Sequence, residues 1–464
     1  MLVTFSESEG YISAVPFIIL DAEGYQNYLL STHDYVTKWI KAINFVFQAG
    51  KFLIIPSKEE GIQEVIYFID HPFSQRDFSQ LPVSLPLVRY RLVEWPEQYT
   101  YDITLSWING CYQFDYFRKI KKEYPIFIVP DSEHVARARI LANSVYKIRN
   151  LINLPASHMG PEQLADTLAE LARNTGSSFN LIEKNALREG FPLIYAVGKG
   201  SHRAPLMAEL NWGDIAHPTV VLIGKGVSFD TGGLNIKNPP NMLNMKKDMG
   251  GAALAIGIAQ SVIGLDLPIR LKVLIPAAEN AVSDTAFRPG DVISSRSDLA
   301  IEITNTDAEG RLILADALTY ACEASPSLII DFSTLTGAAR TALGAEIGAV
   351  FTNRDSEWAL LERASDMTKD PLWRMPLWPG YDKRLLSNVA DLKNSSGGKG
   401  TAITAALFLQ NFVKPSISWI HLDIGAWVEE SQAGFVSGGV AQSFYAVLQY
   451  LENRFAEAVE PDKC

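Results

Sequence analysis

The chain is expected to be a two-domain α/β protein, with a small amino-terminal α/β domain before a larger one whose mixed central sheet is covered by helices. Three observations predict this. The 464 residues exceed what a single core of ordinary size organises. Beyond Pro155, near-continuous Val/Ile/Leu runs alternate with amphipathic stretches, as strands buried between two helical layers require. At 47% hydrophobic and 20% charged, the composition is that of a globular protein and not of a disordered or fibrous one.

Taken in order, residues 1–130 contain short apolar runs at 17–20, 52–56 and 65–69. Gly, Pro, Asp and Ser clusters and helical patches separate them, so this stretch is assigned as the small α/β domain. Residues 131–153 are assigned as a linker helix. Apolar residues recur there at helical spacing, basic residues fall between them, and Pro155 closes the run. Residues 154–464 form the larger domain. Its strands are expected in PTVVLIGKG, IRLKVLIPAAEN, AIEITN, SLIIDFSTL and SWIHLDI. Its helices are expected in GGAALAIGIAQSV, LILADALTYACEA and AITAALFLQNFV.

Forty-one Lys and Arg against 52 Asp and Glu leave a net charge of −11, which argues against a whole-surface nucleic-acid binder. Cys111, Cys322 and Cys464 are odd in number and far apart, so neither a disulfide framework nor a Cys-x-x-Cys zinc site is expected. The first residues lack a basic segment before their apolar run, and no apolar stretch reaches the roughly 18 residues that span a bilayer. A soluble cytoplasmic protein without a membrane partner is the expectation.

In an open α/β sheet, ligands gather at the carboxyl ends of the strands. Three polar runs are expected there: 224–233 (GKGVSFDTGG) with Lys237 close behind, 246–251 (KKDMGG) opening a helix, and 305–312 (NTDAEGRL). Each has an ordinary explanation. Asp230 and Asp248 each stand two residues before a glycine, and a lone Asp in such a place is most often a cap or turn residue. Asp307 and Glu309 suit the first turn of a helix, and Lys225 and Lys237 would normally be solvated. Together, however, four carboxylates and two lysines among glycines would repel strongly in a partly buried cleft. One or two divalent cations, Zn²⁺, Mn²⁺ or Mg²⁺, compensate such a set economically. Two metals about 3.5–4 Å apart would suit a hydrolase.

The run NTDAEGRL resembles the signature octapeptide of the leucyl (cytosol) aminopeptidase family, and GKGVSFDTGGLNIK and KKDMGGAA resemble its other metal-site segments. The resemblance covers roughly residues 140–460. It implies a metal-dependent aminopeptidase that removes Leu-like residues from peptides, with two divalent ions per subunit (Zn or Mn, with Mg or Co as alternatives), a bicarbonate ion, and a homohexamer. It implies that Asp230 and Glu309 bridge the metals, that Lys225 and Asp248 bind one, and that Asp307 binds the other. Lys237 matches the lysine that polarises the scissile carbonyl, and Arg311 the arginine that holds bicarbonate. Met245, Thr334 and Gly337 fall on the substrate pocket, and 390–410 resembles a segment completing its wall. Two departures concern specificity rather than the metal positions. The segment 419–427 (WIHLDIGAW) is one residue short of the family pattern, and the tail near 435–438 aligns poorly. Alternatives are an accessory DNA-binding role and a non-catalytic family member.

Overall fold

The protein is described by a computed structural model, covering residues 3–5, 13–71, 73, 75–430 and 437–456. The chain divides into two compact units, residues 1–146 with 430–437, and residues 147–429 with 438–464. The division falls inside the helix Glu133–Asn153, which forms where a linker helix is expected and starts after Ser132, whose Oγ accepts from the Val135 amide at 3.3 Å.

The first unit is built on a six-stranded sheet ordered Val3–Phe5, Ile126–Val129, Arg89–Glu94, Val15–Leu20, Ile62–Phe68, Phe52–Pro56. All neighbours are parallel except the edge strand Phe52–Pro56. Strand alternation sends successive side chains of the strand at 15–20 to opposite faces. Phe17 and Ile19 join Trp107 and Phe127 on one side, where these two rings stack at 4.3 Å; Ile18 and Leu20 join Tyr25, Val36 and Ile40 on the other. Both faces are therefore covered, which explains why these runs are apolar without interruption.

The second unit centres on four mutually parallel strands, Ser418–Asp423, Leu328–Ser333, Thr219–Gly224 and Arg270–Asn280. Antiparallel strands extend it on both sides. Gly348–Thr352 pairs with 418–423 and carries Leu372–Arg374 beyond it, and Leu206–Trp212 with Ser178–Glu183 continues from 270–280. The mixed sheet matches expectation. The helices Gly250–Gly264, Gly310–Glu323 and Thr401–Gln410 cover it, and every residue from 250 to 259 is buried. The strands at 178–183, 206–212, 348–352 and 372–374 and the helices Pro161–Thr175, Asp355–Thr368 and Phe444–Ala456 lie outside the elements marked in the sequence.

Two expectations about placement are corrected. The strand inside AIEITN, Ala300–Glu302, belongs to a separate three-stranded sheet with Val292–Ser294 and Leu392–Lys393, not to the central one. A three-residue strand carries too little length to reveal its sheet from periodicity. The first polar run is not all loop either. Its middle, Gly226–Asp230, forms a further strand along the distal half of 270–280, whose 11 residues outlast their neighbour.

Candidate active site

The site lies where the central parallel strands end. Strand 219–224 delivers Lys225, strand 226–230 ends at Asp230, strand 270–280 ends at Asn280, and strand 328–333 is followed by Thr334. Asp248 sits in the single-turn helix Met245–Met249 that leads into the buried helix 250–264. Asp307 and Glu309 come from the loop between the small sheet and the helix 310–323.

Six of the expected residues converge. Lys225 Nζ lies 2.9 Å from Asp248 Oδ2 and 3.0 Å from Glu309 Oε1; Lys237 Nζ lies 2.7 Å from Asp230 Oδ2 and 2.5 Å from Asp307 Oδ1. Carboxylate oxygens of Asp230, Asp307 and Glu309 fall within 4.8 Å of one another. Lys225, Asp230, Asp248 and Glu309 are buried, and Asp307 is about one-third exposed (33%) at the mouth. Of the pocket residues, Met245 and Gly337 line the adjoining cavity of about 450 Å³. Thr334 lines it too, but its hydroxyl donates to Asp248 Oδ1 at 2.6 Å, so it orients a cluster carboxylate as well.

Arg311 stands apart from the cluster. It is buried, its Nη1 donates to the Asn394 carbonyl at 2.6 Å, and its Nε has no partner among the described residues. Burial pushes its pKa down to about 10. Of the divergent segments, Asp423 ends strand 418–423 and accepts from the Leu335 and Thr336 amides, holding the 333–337 loop that lines the cavity. Residues 435 and 436 of the divergent tail lie outside the described residues.

Asn280, not expected at the site from the sequence, donates to Asp230 Oδ1 at 2.8 Å and to the Thr306 carbonyl at 3.1 Å, tying together the segments that carry Asp230 and Asp307. Its place at the carboxyl end of an apolar strand was the available signal. Lys247 and Arg340 also line the cavity unanticipated. Two glycines are required sterically. A Cβ on Gly310 would lie 2.5 Å from Lys225 Cε, and Gly232, at φ +85°, donates its amide to Asp230 Oδ1 while leaving room for Asp307.

Charge decides the electrostatics. Four carboxylates and two ammonium groups sum to −4 + 2 = −2 in a largely buried site. Burial pushes the Asp230 and Asp248 carboxyls up, and their acidic neighbours add to it. Burial opposes the charge on Lys225 and Lys237, but the surrounding carboxylates outweigh it and hold both lysines above the ordinary range. Asp248 Oδ2 and Asp307 Oδ1 receive no aligned hydrogen bond despite their close lysines. Excess negative charge, oxygen donors within ligand distance of one another and orphaned carboxylate oxygens fit a divalent cation.

Fold and site together define a two-domain α/β protein with a buried cluster of carboxylates and lysines, suited to a divalent cation, at the carboxyl ends of its parallel strands. Residues 147–444 match the catalytic domain of the cytosol aminopeptidase family, and residues 15–130 match the M17 aminopeptidase N-terminal domain. The chain belongs to the cytosol aminopeptidase family. It is 44% identical over 323 residues to a probable cytosol aminopeptidase of Syntrophotalea carbinolica, covering 68% of this chain and 65%, just under two thirds, of that protein. It is 36% identical to the corresponding protein of Geobacter sulfurreducens, over 79% of this chain and 77% of that one. Among solved structures, the cytosol aminopeptidase from Coxiella burnetii superposes with a TM-score of 0.93 at 43% identity, covering 98% of this chain and 99% of that one. The bottromycin maturation enzyme BotP in complex with Mn superposes at 0.84 and 30% identity, covering 95% and 99%.

Proposed function

We propose that the chain is a metal-dependent aminopeptidase that releases single residues, Leu-like ones by preference, from the amino terminus of peptides. The convergence of Lys225, Asp230, Asp248, Asp307 and Glu309 within a domain matched to this family carries the reading. The Mn complex of BotP supports the metal requirement. Two divalent ions per subunit, Zn or Mn with Mg or Co as alternatives, would be held with Asp230 and Glu309 between them, Lys225 and Asp248 on one, and Asp307 on the other. Bound there, they supply Lewis-acid polarisation and a water of lowered pKa. Lys225 would then have to shed the proton that the bare carboxylates favour.

The chain's own groups account for the remaining steps. The acidic cluster receives the substrate's free amino group, which restricts cleavage to the terminal residue. Lys237 directs its Nζ to the scissile carbonyl oxygen and stabilises the negative charge that develops there. Arg311, with an unused buried Nε–H, would hold bicarbonate, a planar anion that suits the guanidinium fork. Met245 and Leu335 offer apolar surface to a Leu-like side chain. Assembly as a homohexamer is part of the same proposal. A nucleic-acid role gains no support from the matches.

The test is hydrolysis of aminoacyl-amides and their N-acetyl counterparts by apo-protein, with Zn²⁺, Mn²⁺, Co²⁺ or Mg²⁺ added back. Metal-dependent release from free amines alone is expected. Absence of release with every metal would refute the reading.

A further inference from the structure

Cations without carboxylate partners are unexpected in the wall of a site that already holds four carboxylates. Lys247 and Arg340 are such cations. Both line the cavity, and neither forms an ion pair with an acidic residue among the described residues, because the cluster carboxylates pair with Lys225 and Lys237. Lys247 is only 7% exposed, and its Nζ donates to the Gly425 carbonyl at 3.2 Å. Glu429 accepts from Asn244 and from the Trp427 indole instead. Arg340 Cδ lies 3.6 Å from where a Cβ on Gly425 would sit, so both cations meet at the residue whose carbonyl Lys247 contacts. A buried ammonium facing a guanidinium is unfavourable unless an anion joins them.

Their position says which anion. Lys247 follows Met245 by two residues, and Arg340 lies one helical turn beyond Gly337 on the helix Gly337–Leu343. Arg340 Nη2 is 3.9 Å from where a Cβ on Gly337 would sit, so the guanidinium lies directly over that residue. Met245 and Gly337 are, with Thr334, the residues that the family resemblance puts on the substrate pocket. With the substrate's amino group held at the acidic cluster, the first side chain is the part of a peptide that turns toward this wall.

We propose that Lys247 and Arg340 form an anion subsite for the first side chain, so that amino-terminal Glu and Asp are released in addition to Leu-like residues. The inference rests on the aminopeptidase reading, which fixes the amino group. A guanidinium matches a carboxylate with two parallel hydrogen bonds, and the lysine adds a point charge. The apolar stems of both residues still pack a Leu-like chain.

The test compares kcat/KM of the metal-loaded enzyme on carboxyl-amidated tripeptides that differ only in the first residue: Glu, Gln, Asp, Asn and Leu. A Glu:Gln ratio of about tenfold or more is expected, the size of a charge-assisted contact. Arg340→Leu should bring the ratio close to one, and Arg340→Lys should keep most of it. A wild-type ratio near one overturns the inference without recourse to any variant. If Leu-Ala-Ala-amide is cleaved in that case, the aminopeptidase reading stands; if no peptide is cleaved, that reading has failed instead. Leu-Ala with a free carboxyl terminus and its amide form a second arm. If Arg340 governs only the preference for the free terminus, the cations recognise that carboxylate and the side-chain assignment is overturned.

Discussion

At the scale of single residues, Lys237 and Glu309 separate catalysis from metal retention. Lys237 touches Asp230 and Asp307 but is proposed to act on the substrate oxygen, so Lys237→Ala should keep metal content near normal while lowering kcat by about 10²–10³-fold. Glu309→Ala removes the carboxylate proposed to lie between the two metal positions and should lose both metal and activity. Metal analysis beside kcat and KM distinguishes the cases. Wild-type kcat in Lys237→Ala, or loss of its metals, would refute the assignment. Arg311→Ala should be milder than either, since Arg311 stands behind the cluster. Gly310→Ala tests the steric argument: the added methyl would meet Lys225 Cε at 2.5 Å, so Lys225 must move and activity should drop sharply without global unfolding. Lys237, Glu309 and Arg311 were legible in the sequence because they fall in polar, glycine-rich runs at strand ends whose residue types and spacing resemble a family signature. Asn280, Lys247 and Arg340 were not, because a lone Asn, Lys or Arg has no local signature and acquires its role from neighbours far along the chain.

At the scale of elements, Asp316 gives a pH-dependent prediction independent of the cluster. It is fully buried on the helix 310–323, where its carboxylate accepts from the Leu193 amide at 2.8 Å, the Ile194 amide at 3.3 Å and the Arg296 amide at 2.9 Å. It thereby holds the start of the helix Pro192–Gly198. Burial, only partly offset by these hydrogen bonds, pushes its pKa up to about 7 from 3.8. Between those values the folded state binds more protons than the unfolded chain, so this group removes stability as pH rises through the window. Denaturant unfolding of the wild type and Asp316→Asn from pH 4.5 to 8 should show the wild type losing stability relative to the variant as pH rises. Identical profiles would mean an unperturbed carboxyl. Asp316→Ala should be the less stable of the two substitutions at every pH, by about 1–3 kcal/mol, since buried amides lose their acceptor. Elements such as 219–224 and 328–333 were legible because strands buried on both faces have to be apolar throughout. The antiparallel strands 178–183 and 348–352 were missed. Polar residues break the run SFNLIE, with several of its side chains exposed at the sheet edge, and GAVFT opens on glycine and alanine, which carry little strand preference.

At the scale of the whole molecule, the residual charge of −2 at the cluster ties stability to metal. Divalent ions bind the folded site and not the dispersed residues, so thermal unfolding with Mn²⁺ or Zn²⁺ should occur at higher temperature than with a chelator, by an amount that grows with metal concentration. A concentration-independent Tm would argue against metal binding at the cluster, and Glu309→Ala should abolish the effect. Assembly is tested separately: light scattering after size-exclusion chromatography should give a mass near six chains, and an active monomer would contradict the hexamer. No helix among the described residues is long and apolar enough to cross a membrane.

The amino-acid sequence by itself determined the fold class and the family, because hydrophobic period and motif spacing are local properties that survive without coordinates. It also determined which carboxylates and lysines belong to the cluster. Only the tertiary structure decided that Asp307 and Glu309 reach it from the loop after a separate small sheet, that Thr334 orients Asp248, and that Arg311 donates to the Asn394 carbonyl. Only there do Lys247 and Arg340 meet across one cavity wall. The physical reason is sequence distance. Ninety-three residues separate those two cations, and no periodicity in the chain records a contact made at that range by the packing of a helix against the end of a sheet.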